Sequence, residues 1–422
     1  MTEREPLHTA SHHPLIDLEQ HVCAHNYAPL AIVASRAEGS WIWDTEGRRY
    51  LDMMSAYSAV SFGHGHPRLV AALVEQARKL AVTSRAIHSD QLAPFLAELV
   101  ALAGLDLALP MNSGAEAVET AIKVARKWGA TLKGIPDGRA EIIVFDNNFH
   151  GRTTTIISFS SHSQYRAGFA PLTPGFRSIP FGDIDALQQA ITPNTCAVLI
   201  EPIQGEGGVV VPPIGYLAAV RRLCDANRVM LIADEIQTGL GRTGDLFAVH
   251  HEQVKPDGLC VGKALGGGLL PVSAFVATEE LLGVMQPGDH GSTFGGNALA
   301  ARVGREALAV LVEERLAERA QASGQMLRLA LNGARHPLVA EVRGRGLMLG
   351  LQLVERVKAH DVVERLGQAG IITKDTYQNT IRLSPPLNID QADLQWGAAR
   401  LLEVLDEFIV PAPHPSNAMA AV

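Results

Sequence analysis

Short, almost unbroken apolar runs punctuate the chain: EIIVF (141–145), TCAVLIEP (195–202), VMLIADE (229–235), GLCVGKA (258–264) and SAFVA (273–277). Runs of this length and density predict strands of a sheet covered on both faces. Between them, apolar positions recur at three- and four-residue spacing, which predicts helices over 115–128, 184–190, 214–227 and 295–314. This alternation is that of an α/β domain with a mostly parallel sheet. From about residue 315 the texture changes to helices around a hairpin-like stretch, EVRGRGLMLGLQLV (341–354), followed by IRLSPPLNI. That reads as a smaller α+β unit, which the stretch 27–60 is expected to join. The expected organisation is an N-terminal segment of the small domain (1–60), a large domain (61–315) and a C-terminal small domain (316–422). The first 26 or so residues and the tail VPAPHPSNAMAAV (410–422) read as irregular ends.

Composition narrows the class. The 422 residues are 47% hydrophobic and carry 36 Lys+Arg against 44 Asp+Glu, a net charge of −8. That balance lacks the electrostatic footprint of a nucleic-acid binder. No apolar run reaches the roughly 18–20 residues needed to span a bilayer. The N-terminal MTEREPLHTASHHP lacks the apolar core of a secretory signal. Four scattered cysteines with no C-x-x-C pair fit a reducing compartment. The expectation is a soluble cytoplasmic protein without nucleic-acid or membrane partners.

Three stretches carry candidate chemistry. In MNSGAEAVETAIKVARKW (111–128), Asn112 or Ser113 can cap an amphipathic helix. Gly114 lets a ligand approach the free N–H groups, so this helix start can cradle a phosphate or be simply a cap. In VMLIADEIQTGLGRTG, a buried strand ends in Asp234 and Glu235, where open α/β sheets place their sites. A carboxylate there needs a cationic or N–H partner, which a neighbouring loop could also supply. In DGLCVGKALGGGLLPVSAF, Lys263 closes an apolar strand beside three glycines. Burial disfavours the charged form of a lysine and makes it a nucleophile, whereas a snorkelling surface lysine would stay inert. A phosphate cradle, a Schiff-base lysine and a carboxylate for a pyridinium nitrogen are the contacts that pyridoxal phosphate requires.

At these residues the chain resembles the class III, fold-type I pyridoxal-phosphate aminotransferases, and among them those that act on ornithine. The resemblance runs from HNYAPL (25–30) to LSPPLNI (383–389) through SAYSAVSFGHGHP, FHGRT, EPIQGEGGVVVP, IADEIQTGLGRTG and GDHGSTFGGNALAARV. It implies an α/β fold with a large mostly parallel domain and a smaller α+β domain. It also implies that Lys263 carries the cofactor and moves the proton, with Asp234 at the ring nitrogen and Gln237 at the ring hydroxyl. Phe149 would lie on the ring face with His150 beside it. Ser113, Gly114 and Ala115 would hold the phosphate together with Thr293 of a second copy, so a homodimer or larger assembly is implied.

For substrates, the resemblance implies Arg152 for the distal carboxylate and Arg382 for the α-carboxylate of glutamate. Glu206 would neutralise Arg382 while ornithine reacts, and Tyr27 and Tyr57 would contact ornithine's α-end. The expected reaction takes the δ-amino group of L-ornithine to 2-oxoglutarate, giving glutamate 5-semialdehyde and glutamate, within proline and arginine metabolism. The alternative amino donors are acetylornithine, lysine and 4-aminobutyrate. Ser61, Phe62, Gly65, Ser113 and His150 depart from the residues usual in the family and bear on substrate range. No metal site is expected: His64 and His66 in GHGHP lack a third ligand in view.

Overall fold

The structure, a computed structural model, describes residues 13–409. The chain opens with a helix at Pro14–Val22, where the sequence reading expected irregular structure. Proline at the first helical position and the His13 side chain, which accepts the Leu15 N–H, explain its start. Strands β1 (Ala34–Glu38), β2 (Trp41–Asp44) and β3 (Arg49–Asp52) follow as an antiparallel meander.

The central sheet contains β4 (Leu107–Met111), β5 (Glu141–Phe145), β6 (Phe176–Ile179), β7 (Thr195–Ile200), β8 (Met230–Asp234), β9 (Gly258–Val261) and β10 (Ser273–Ala277). Their order across the sheet is β4-β10-β9-β8-β7-β5-β6. The pairs from β9 to β6 are parallel, and β10 is antiparallel to both β9 and β4. Two of these strands, β4 and β6, escaped the sequence reading. The predicted helices appear at Gly114–Trp128, Ile184–Ala190, Tyr216–Asn227 and Ala298–Glu313.

The C-terminal part holds β11 (Val339–Arg345), β12 (Met348–Leu353), β13 (Ile371–Ile372), β14 (Lys374–Thr376) and β15 (Thr380–Leu383). Four of them form a sheet ordered β11-β12-β15-β14, while β13 runs parallel to β3. The N-terminal meander is thereby tied to the end of the chain. Apolar side chains fill both faces of the central sheet: Val118, Ala121, Ile122 and Trp128 of one helix cover one side, and Phe145, Leu231 and Leu265 pack on the other. The tail 410–422 lies outside the described residues. Among the described residues no helix is long and apolar enough to cross a membrane.

Candidate active site

The carboxyl ends of β5, β7 and β8, together with the turn after β9, converge on one cavity of about 210 Å³. Its walls include Phe149, His150, Glu201, Glu206, Asp234 and Lys263. Parallel strands end in exposed carbonyls and loops, so functional side chains collect on this side of the sheet.

The lysine does not close a strand, as the sequence suggested. β9 stops at Val261, and Lys263 begins a short 3-10 turn with φ +44, in the left-handed region. Burial pushes its ammonium toward the neutral form. Arg382 adds to that while Glu206, Asp234 and Glu201 oppose it, and the net shift is downward. Asp234, 5% exposed, accepts the Ile236 N–H at 3.0 Å and lies 2.7 Å from His150 Nδ1. Burial alone would favour neutral His150, but the hydrogen bond and charge of Asp234, with Glu201 behind them, raise its pKa. Its Nε2 is buried and has no partner among the described residues.

Glu201 is a site residue that sequence reasoning missed. Its carboxylate accepts the Phe149 N–H at 3.0 Å and the Gly205 N–H at 3.2 Å, joining two loops of the cavity. Burial pushes its carboxyl up to about 7, against the charge of His150. Beside it, a Cβ on Gly205 would fall 1.5 Å from Gln237 Oε1, so only glycine leaves the Gln237 amide its place. The Gln237 amide nitrogen is buried there and faces the Glu206 carboxylate, which it helps to hold ionised.

Ser113 is occupied as a cap. Its Oγ accepts the Glu116 N–H at 3.2 Å, and Glu116 accepts the Ser113 N–H at 2.7 Å in a capping box. Gly114 and Ala115 line the cavity as the first residues of that helix, where N–H groups have no intrahelical acceptor.

At the substrate end, Arg382 is 1% exposed and ion-paired through Nη1 to Glu206. Its Nε and Nη2 are buried without partners among the described residues. Burial would raise the Glu206 carboxyl, but the field and hydrogen bond of Arg382, aided by Lys263, hold it below the usual carboxylate range. The Tyr57 ring lies 4.8 Å from the Arg382 guanidinium. Tyr57 belongs to a run of four residues, Ser55–Ser58, all with φ between 45° and 75°. A left-handed turn of non-glycine residues costs roughly 1–2 kcal/mol per residue. Asp52 steadies it by accepting the N–H groups of Met54 and Ser55 at 2.9 and 2.7 Å.

Arg152 is exposed and stacked on Tyr165, 3.5 Å from the ring centroid, with Phe149 at 5.6 Å. Tyr165 was also missed; nothing in its local sequence signals the stack. Six predicted residues stay outside the cavity wall: Ser113, Tyr57, Arg152 and Arg382, placed as above, together with Tyr27, which is 78% exposed, and Thr293, exposed in a loop whose Ser292 bonds Asn112 at 2.8 Å. Of the unusual residues, His150 lines the cavity, whereas Ser61 and Phe62 are buried away from it. Ser61 Oγ accepts from Arg242. His64 and His66 bond Asp52 and Glu314, at 2.9 and 3.1 Å.

The model of the family described as Aminotransferase class-III matches residues 22–405, spanning the cavity and both flanking sheets. The chain belongs to the class-III aminotransferases. Over 382 residues it is 51% identical to the ornithine aminotransferase of Brevibacillus brevis, covering 90% of this chain and 95% of that one. A Toxoplasma gondii ornithine aminotransferase, crystallised with oxidised glutathione and holding PLP at partial occupancy in its active site, superposes with a TM-score of 0.92. It is 41% identical, and the match covers 93% of each chain. An Elizabethkingia anophelis acetylornithine aminotransferase superposes with a TM-score of 0.85 at 44% identity, covering 93% of this chain and 98% of that one. As an aminotransferase, the protein takes an amino acid and a keto acid as its substrates.

Proposed function

We propose that this aminotransferase moves the δ-amino group of L-ornithine to 2-oxoglutarate, with pyridoxal phosphate as its cofactor. The observation that carries the substrate reading is the ion pair of buried Arg382 with half-buried Glu206 beside Lys263, with two guanidinium nitrogens left without partners among the described residues.

The cavity residues fit the cofactor. Gln237 presents a buried amide nitrogen, His150 Nε2 is buried without a partner among the described residues, Asp234 presents a buried carboxylate, and the helix start at Gly114 offers free N–H groups. Lys263 would hold the group covalently, Asp234 would face its ring nitrogen and Gln237 its ring hydroxyl. Phe149 would cover the ring face, while Gly114 and Ala115 would take the phosphate with Thr293 of a second copy, Ser113 capping the helix that presents them. When bound, pyridoxal phosphate supplies an electron sink for the charge left when the donor's C–H bond breaks. Lys263, with its pKa lowered, takes that proton and returns it. His150 keeps Asp234 oriented through their hydrogen bond.

The pair at the other end sorts the substrates. With ornithine, Glu206 stays on Arg382, and Tyr57 and Tyr27 meet the α-end. With glutamate, Glu206 swings off, and Arg382 takes the α-carboxylate bidentately while Arg152 takes the distal one. The buried, unpaired thiols Cys196, Cys224 and Cys260 support the reading of a cytoplasmic protein. The exposed Thr293 and Phe294 support a homodimer with a shared site. The product semialdehyde ties the reaction to proline and arginine metabolism.

One finding favours N-acetylornithine as the alternative donor: the acetylornithine aminotransferase above is 44% identical. Mixing the cofactor-loaded protein with L-ornithine, N-acetylornithine or 4-aminobutyrate, without keto acid, separates the two. Ornithine should react at least about tenfold faster and yield a trappable pyrroline. Preference for the acetylated donor overturns the ornithine reading and leaves the Lys263 role standing.

A further inference from the structure

A second hollow, of about 540 Å³, opens between the helix Leu316–Gly333, strand β11 and the region of His251 and Val211. Gln321, Gln325 and Arg328 share one helical face at four- and three-residue spacing. Glu341, Arg343 and Arg345 share one face of β11 at two-residue spacing. The hollow is thus lined by three arginines and one carboxylate, a local charge of +3 − 1 = +2 on a chain whose net charge is −8. Glu341 is already engaged with Arg343 at 2.9 Å. Arg328 and Arg345 have no ion pair or side-chain hydrogen bond among the described residues, and both line the hollow. His251 in the same wall has its pKa lowered by burial and then by the charge of Arg345.

Arg343 connects this hollow to the active site. Its Nε and Nη2 donate to the Gly208 carbonyl at 2.9 and 2.6 Å, and its Nη1 also reaches Gln352. Gly208, at φ +109, packs so closely that a Cβ would lie 2.9 Å from the Tyr377 carbonyl and 3.1 Å from Arg343 Nη2. It follows Glu206 by two residues, so the guanidinium grips the back of the loop whose front holds Arg382.

We propose that the hollow binds a polyvalent oxyanion, a phosphate or an organic polycarboxylate, and that its occupancy loosens Glu206 from Arg382. Planar guanidinium forks at Arg328 and Arg345 suit such oxygens, and an anion between them competes with the Gly208 carbonyl for Arg343. The coupling rests on the substrate switch proposed above; the binding does not. Bound anion should therefore speed the glutamate half-reaction relative to the ornithine one.

Titration calorimetry of cofactor-loaded protein at fixed ionic strength, with inorganic phosphate and separately with citrate, tests the binding. The double variant Arg328→Gln/Arg345→Gln lies outside the active site and should keep basal activity and melting temperature. It should weaken binding by about tenfold or more. Binding of phosphate alone, citrate alone or both supports the site and identifies which oxyanion it prefers. No binding of either, or binding equal in the double variant, overturns it. Stopped-flow half-reactions with saturating anion then test the link. A two- to threefold or greater shift in their ratio, by order of magnitude, supports it. Binding with an unchanged ratio removes the coupling, and loss of ornithine reactivity altogether points instead to the substrate reading.

Discussion

Two arginines are almost wholly removed from solvent, Arg242 at 0% exposure and Arg382 at 1%, and they are held in opposite ways. Among the described residues Arg242 has no carboxylate within ion-pair reach, and its Nε has no partner. Its Nη1 donates to the carbonyls of Leu347 and Pro385 at 2.9 and 2.5 Å, and its Nη2 donates to Ser61 at 2.9 Å. Burial disfavours its charge, and Asp52 alone counters with a distant field. Such a cation joins three chain segments by neutral acceptors that cannot leave. Arg382 is instead held by one carboxylate on a loop, with two nitrogens unpartnered. Fixed neutral acceptors make a joint; a single mobile counter-charge makes a binding group that can be covered and uncovered.

The largest effect should come from breaking the joint. Arg242→Met leaves the Leu347 and Pro385 carbonyls and the Ser61 hydroxyl without their donor and should lower stability by on the order of 3–5 kcal/mol, read by denaturant unfolding. Arg382→Met should instead leave stability within about 1 kcal/mol of wild type and cut kcat/KM for glutamate by roughly 100-fold, with a smaller loss for ornithine. Equal destabilisation by both variants would erase the distinction.

Two carboxylates repeat the contrast. Glu235 has neutral partners, Thr238 and the Val249 N–H, and burial pushes it up to about 7. Between its ordinary value and 7, the folded chain keeps a proton that the unfolded chain has lost, so this group costs stability as pH rises through that window. Glu206, held below the ordinary range, contributes stability above that range and loses it as pH falls through its folded value. Glu235→Gln should therefore raise the melting temperature at pH 8 relative to wild type, by about 1–3 kcal/mol of stability, and leave it nearly unchanged at pH 4.5. The smallest effect belongs to Tyr57. Loss of its ring over Arg382 in Tyr57→Leu should cost about 0.5–1 kcal/mol, a two- to fivefold rise in ornithine KM with kcat largely kept.

The same contrast explains what the sequence made legible. Lys263, Asp234, Gln237, Phe149, His150 and Glu206 lie at or just after apolar strands, so the hydrophobic pattern and the family's stretches locate them together. Arg242 sits in one of those stretches and still went unread, because its acceptors are carbonyls over a hundred residues away. Glu201 went unread for a related reason: besides the Gly205 N–H of its own loop it accepts the Phe149 N–H of another loop 52 residues away, which no spacing announces. Strand β4 (LALPM) continues the apolar texture of the helix before it, and β6 (FRSI) is a short edge strand with one buried residue. The reversed direction of β10 was illegible because apolar density carries no direction. Thr293 and Tyr27, exposed in this chain, owe their expected places to the family resemblance alone.

The most direct test of the switch is a pair of single-turnover measurements on Glu206→Ala, one with L-ornithine and one with L-glutamate. With its cover gone, Arg382 is always available for a carboxylate. The ornithine half-reaction should slow by roughly tenfold or more while the glutamate half-reaction holds or quickens. Equal losses in both would contradict the account and reduce the Glu206–Arg382 pair to a fixed part of the wall.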